Sequence, residues 1–173
     1  MSVLGIDSRR AIEIRHYPML VYVLAPLIAL VLQAWLPRLV TPYVWFDLPL
    51  LVTIYFAMAR RSPIQGTTIG FILGILEDAL THRPIGINGI SKTLVGFLAA
   101  SVGVRIDVEN VTIRVLLTFV LSLFSSATYL FVFRILLSMA LEWTWYNELF
   151  RAIGNSLIVL VLFHLLDRVK IRD

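Results

Sequence analysis

Residues 63–104 read PIQGTTIGFILGILEDALTHRPIGINGISKTLVGFLAASVGV, and they decide what kind of molecule this is. Two apolar runs, 63–80 and 84–104, are joined by a short turn bearing His82, Arg83 and Pro84. Neither run alternates apolar and polar residues with period two, which argues against strands and predicts helices. In the first run Gly66, Gly70 and Gly74 recur every fourth residue. In the second, Gly96, Ala99, Ala100 and Gly103 fall at i, i+3, i+4 and i+7, one small-residue stripe. Small residues at this spacing let two backbones approach closely. Between helices in hydrocarbon, close packing takes over the role that the hydrophobic effect plays in water. The stripes therefore read either as packing within the chain or as a docking groove for a partner helix.

The rest of the sequence has the same character. Hydrophobic residues make up 59% of the 173 and charged residues only 15%, against about a quarter charged in a soluble domain. Mean hydropathy is +0.87. These values describe an integral membrane protein of one domain. Six hydrophobic segments are bounded by charge or proline, at 17–37, 42–59, 63–80, 84–104, 115–133 and 147–166. A helix needs about 20 residues to cross the hydrocarbon, with a range of about 17–25. The first, fourth and fifth segments meet this readily, and the others are short enough that flanking arginines must snorkel. The expected fold is all-α with six transmembrane helices: a tail over 1–16, one membrane domain over 17–167 and a tail over 168–173.

Six spans place both termini on one side. With the N-terminus inside, that side receives Arg9, Arg10, Arg15, Arg60, Arg61, Arg105, Arg114, Arg168, Lys170 and Arg172, while the other keeps Arg38, Arg83, Arg134 and Arg151. Ten cations against four is a positive-inside bias, so both termini are expected in the cytoplasm and the chain in the inner membrane. Trp35, Trp45, Trp143 and Trp145 then all fall at the outer interface, where amphipathic rings gather. Topology accounts for the net charge of +4, which removes the case for a nucleic-acid partner.

Polar residues at membrane depth are the informative ones. Lys92 lies one turn before Gly96 on the small-residue stripe. A lysine near a span centre costs about 2.5–3.5 kcal/mol on insertion scales, so it needs a partner. Glu77 and Asp78 end the preceding span on the same side, and either one pairing with Lys92 would staple the third span to the fourth. The sharper alternative makes Glu77, Asp78 and Lys92 part of an outward-facing polar pocket. Thr118, Ser122, Ser125 and Tyr129 form a polar edge on the fifth span, and Asn155 is the polar group inside the sixth. Arg134 and Glu142, two turns apart, are placed to pair with each other or with headgroups, and His164 beside Asp167 reads as interfacial.

Catalytic readings find little support. There is no cysteine, which excludes disulfides and thiolate chemistry. Asp78 and His82 share a helical spacing for metal ligands, but no second histidine lies nearby. The sequence holds no H-E-x-x-H, no G-x-S-x-G and no phosphate-binding glycine loop. No cofactor, metal or catalytic set is expected.

The stretch 46–106 resembles the rod shape-determining MreD family of bacteria. The residues that carry the likeness are FDLPLLVTIYFAMARRSP, GTTIGFILGILEDAL and RPIGINGISKTLVGFLAASVG, with Gly66, Gly70, Phe71, Gly74, Asp78, Pro84, Gly86, Lys92, Thr93 and Gly96 prominent among them. The resemblance implies a non-enzymatic part of the cell-elongation machinery that supports lateral peptidoglycan synthesis and rod shape. Its implied partners are the bitopic periplasmic scaffold MreC, the actin-like MreB, and the peptidoglycan polymerase and transpeptidase pair; a homodimer stays open. The family also looks like the six-helix substrate-binding components of energy-coupling-factor transporters. That likeness supplies an alternative, a vitamin-like small-molecule binder feeding an importer, to which Ala25 and Ala29 on the first span lend a small-residue patch.

Overall fold

The computed structural model describes residues 18–35, 46–106, 110–136, 138 and 144–168. Expectations resting on Trp45, Trp143, Arg38, Glu142 and the two tails lie outside these residues. Six α-helices run in order, α1 (Met19–Trp35), α2 (Leu48–Arg60), α3 (Pro63–Leu80), α4 (Ile87–Arg105), α5 (Val111–Phe131) and α6 (Trp145–Arg168). A π-helical turn over Val132–Leu136 extends α5. No strand occurs among the described residues. Three stretches are long and apolar enough to cross a membrane, Ile87–Arg105, Val111–Ile135 and Trp145–Arg168.

The helices alternate in direction, and side-chain contacts fix the alternation. Gln33 near the end of α1 bonds the start of α2, and Glu77 near the end of α3 meets Lys92 near the start of α4. Ser91 of α4 bonds Ser125 late in α5, while Arg114 at the start of α5 pairs with Asp167 at the end of α6. The bundle therefore has two unlike ends, which we name for Lys92 and for Asp167. Trp35, Arg83, Trp145 and Arg151 belong to the first; Arg60, Arg61, Arg105, Arg114 and Arg168 belong to the second.

The centre is α2, the shortest helix. It touches each of the other five, and all eleven residues from Pro49 to Ala59 are buried. Its sequence LPLLVTIYFAMA has almost no polar face, the pattern of a helix enclosed on every side. Thirteen residues span about 20 Å, against about 30 Å of hydrocarbon in a bilayer. Its first turn therefore lies inside the bundle, and its orphan N–H groups cannot rely on water. Tyr22, Tyr55, Phe56 and Phe163 interlock around its other half with ring centroids 4.9–5.5 Å apart.

α3 and α4 lie backbone to backbone. A Cβ at Gly66 would strike the Gly96 carbonyl, one at Gly70 the Lys92 carbonyl, and one at Gly74 the Asn88 carbonyl. Gly103 sits against the backbone of Met58 in α2, where a Cβ would lie 3.2 Å from its Cα. Ala99 and Ala100 are fully buried between these neighbours. The small-residue stripes are thus filled from within the chain. The docking-groove reading of Gly66, Gly70, Gly74, Gly96, Ala99, Ala100 and Gly103 is corrected accordingly, because a face already in backbone contact has no room for another helix.

Candidate functional site

The site begins with the N-terminus of α2. Asp47 is its N-cap, with Oδ1 accepting from Leu50 N at 2.9 Å. Pro49 has no N–H to satisfy, which suits it to this first turn. Leu48 N donates to Gln33 Oε1 at 3.0 Å, while Gln33 Nε2 donates to Phe46 O at 3.2 Å. Asp47 N donates to Asn155 Oδ1 at 2.8 Å, and Asn155 Nδ2 donates to Ser122 Oγ at 3.0 Å. Side chains from α1, α5 and α6 thus complete a helix start that water would complete in a soluble protein.

Lys92 enters from α4. Its Nζ lies 2.7 Å from Asp47 Oδ2 and 2.6 Å from Glu77 Oε2. Lys92 has no exposed surface and Glu77 is 2% exposed, so one ammonium and two carboxylates share a dry volume. Desolvating an ion costs several kcal/mol even after relaxation, so each member depends on the others. The triad joins α2, α3 and α4, and the glycine contact allows it: with α3 and α4 in backbone contact, Glu77 and Lys92 are already adjacent.

Asp78 does a different job from the one its neighbourhood implied. It does not reach Lys92. Its Oδ2 accepts from Gly86 N at 2.9 Å and Asn88 N at 3.0 Å, and its Oδ1 accepts from Asn88 Nδ2 at 2.7 Å. Asp78 therefore clamps the α3–α4 turn onto the start of α4. Adjacent helical residues point about 100° apart, so a face that sends Glu77 to Lys92 sends Asp78 into the turn. Gly86, with φ +105°, occupies a backbone region that favours glycine.

Other polar groups converge on the same end. Ser91 Oγ donates to Ser125 O at 2.9 Å and lies 2.8 Å from Ser125 Oγ. Ser126 Oγ donates to Glu148 Oε2, which Arg151 Nη1 approaches at 3.4 Å. Ser122 and Ser125 of the predicted edge are buried in this network, and Thr118, fully buried too, has no hydrogen-bond partner for Oγ1. Above the triad opens a cavity of about 480 Å³, with Asp47, Glu77, Arg83, Ser126, Tyr129 and Arg151 among its walls. Among the described residues no three histidine or carboxylate side chains converge as a metal-ligand set.

Four residues of this site were not assigned from sequence. Asp47, Gln33, Asn88 and Ser91 carry the cap, the turn clamp and the α4–α5 contact. For Asp47 a signal exists, since Asp-Leu-Pro is an N-cap followed by proline in the first turn, and it opens an otherwise uncharged segment.

Residues 13–169 match the family described as rod shape-determining protein MreD. The chain belongs to the MreD family. Membership covers nearly the whole chain, well beyond the 46–106 stretch that carries the resemblance, and it ties this membrane protein to the determination of rod shape. No curated protein and no solved structure matches the chain. Within the MreD match fall all three triad members, the Asp78 clamp and both glycine stripes.

Proposed function

We propose that this MreD-family chain is a non-enzymatic scaffold of the bacterial elongation machinery, set in the inner membrane by six crossing helices with both termini in the cytoplasm. Residues 17–167 form its single membrane domain, flanked by short tails. It binds the bitopic scaffold MreC and supports lateral peptidoglycan synthesis, in company with MreB and the polymerase–transpeptidase pair. The observation that carries this reading is the family match over residues 13–169. The sidedness draws support from the segregation of Arg60, Arg61, Arg105, Arg114 and Arg168 to one end of the bundle and of Trp35 and Trp145 to the other.

The interlocked polar core suits a scaffold, because a partner is better met by a fixed surface than by a mobile one. With the glycine stripes spent internally, the partner-facing surface falls to the exposed apolar rows, such as Phe71, Ile72 and Leu76 on α3 with Leu94 and Phe97 on α4. Purification from the native membrane in mild detergent, with mass spectrometry of bound proteins and small molecules, tests the reading. Recovery of a bitopic periplasmic protein is expected. Recovery of a vitamin-like ligand with ATPase subunits would overturn it in favour of the importer component. Topology is tested by single cysteines, convenient in a chain that has none. A cysteine at Arg83 is expected to label from the periplasm, and labelling only from the cytoplasm would reverse the orientation.

A further inference from the structure

The cavity at the Lys92 end has polar groups that the fold leaves unused. Arg83 makes no hydrogen bond or ion pair through its guanidinium to a described residue, and its only side-chain contact there is the Tyr129 ring, 5.8 Å away. Arg151 has one long contact, 3.4 Å to Glu148, and leaves most of its donors open. Deeper in, Glu77 meets Lys92 through Oε2, while Oε1 makes no hydrogen bond to a described residue. A carboxylate that is 2% exposed and lines a cavity with a spare acceptor calls for a hydrogen-bond donor from whatever fills that space. The cavity thus offers two guanidinium groups for an anion and one carboxylate oxygen for a cation.

A second feature adjoins it. Val31, Ala34, Trp35 and Leu80 line an apolar groove of about 370 Å³ between α1 and α3. Ala34 and Leu80 belong to both the groove and the polar cavity, so the two are continuous. Val31, Trp35 and Leu80 are about half exposed, at 56%, 54% and 49%, so the groove opens on the outer surface of the bundle. A polar chamber that leads into an apolar slot facing hydrocarbon has the shape of an amphiphile.

We propose that this composite site binds a phospholipid with a zwitterionic phosphoethanolamine headgroup. The phosphate lies with Arg83 and Arg151, the primary ammonium donates to Glu77 Oε1, and one acyl chain follows the groove past Leu80 and Trp35. A primary ammonium is favoured over a quaternary one because only the former has N–H donors for a carboxylate. A purely anionic headgroup leaves Glu77 unmatched. The site stands apart from the role in rod shape, and either can fail alone.

Native mass spectrometry of the full-length protein in mild detergent, titrated with phosphatidylethanolamine, phosphatidylcholine and phosphatidylglycerol, tests the proposal. Phosphatidylethanolamine is expected to bind at one site about tenfold more tightly than either of the others. Arg83→Gln with Arg151→Gln, both away from the buried triad, is expected to weaken it about tenfold, the worth of one charge-assisted contact. Ala34→Trp, which fills the groove, is expected to exclude the lipid while the protein stays monodisperse. Equal binding of the three lipids, or binding that ignores both variants, would overturn the proposal and mark only annular lipid. Glycerophosphoethanolamine serves as the soluble arm. If it binds as tightly as the lipid and is unaffected by Ala34→Trp, the site takes a soluble zwitterion and the lipid assignment fails.

Discussion

The two ends of the bundle hold their ions in opposite ways. At the Lys92 end an ammonium and two carboxylates are shut away, with Lys92 fully buried and Asp47 13% exposed at its side chain. At the Asp167 end Arg114 Nη1 meets Asp167 Oδ2 at 2.6 Å, but the side chains are 11% and 29% exposed. Tyr55 Oη donates to the other Asp167 oxygen at 2.8 Å, and the Arg114 guanidinium lies 5.8 Å from the Phe163 ring centroid. Both ends join helices distant in sequence. Only at the first does the removal of one charge leave others stranded without water. The difference teaches that the buried triad sets the arrangement of α2, α3 and α4, whereas the Arg114–Asp167 pair trims an arrangement already made by packing.

The largest expected effect breaks the triad. Lys92→Met leaves Asp47 and Glu77 buried without a counter-charge and is expected to cost about 3–5 kcal/mol. Unfolding in mixed micelles, or the melting midpoint followed by size exclusion, reads this directly. Neutralising all three groups (Asp47→Asn, Glu77→Gln, Lys92→Met) is expected to cost less than Lys92→Met alone, since no charge is then stranded. A triple variant worse than the single one would show that the three do not act as a unit.

Next comes the contact that brings Glu77 and Lys92 together. Gly70→Leu drives a side chain into the Lys92 carbonyl and is expected to destabilise by at least about 1–3 kcal/mol. Because this face is internal, loss of partner capture is expected only together with loss of folded protein. A well-folded Gly70→Leu chain that fails to bind its partner would return these glycines to the partner surface.

A smaller effect is expected one step out from the triad. Asn155→Leu removes the acceptor for Asp47 N and the donor to Ser122 Oγ, and is expected to cost about 1–3 kcal/mol for a buried N–H left unsatisfied. The same thermal assay serves, and an unchanged midpoint would mean that the α2 start finds another acceptor.

At the Asp167 end the smallest change is expected. Asp167→Asn should cost about 1 kcal/mol or less, since partly exposed ion pairs contribute little. Raising ionic strength from 0.05 to about 0.5 M should weaken this end while leaving the Lys92 end unmoved, because salt screens exposed charges and not buried ones. If Lys92→Met and Asp167→Asn proved equally costly, the contrast between the two ends would be lost.

Much of this molecule was determined by its sequence alone. Hydropathy sets the six helices, because each apolar segment must satisfy its own backbone wherever water is absent. The turn at His82 and Pro84 falls between α3 and α4 as read, and the spacing of Gly66, Gly70 and Gly74 announces a close helix contact before any partner is known. Which partner was a matter for the tertiary structure. Small-residue spacing describes one surface of a contact, and two helices of the same chain meet it as well as a foreign helix does. The ions show the same boundary. The cost of burying Lys92 predicts that it has a counter-charge nearby, but choosing Glu77 over Asp78 needs the rotation of α3 about its axis. Finding Asp47, 45 residues away in sequence, needs the fold to bring the start of a short central helix to the same depth. Periodicity and charge are properties of a segment. Pairing depends on how segments turn and cross, and only the packed bundle decides that.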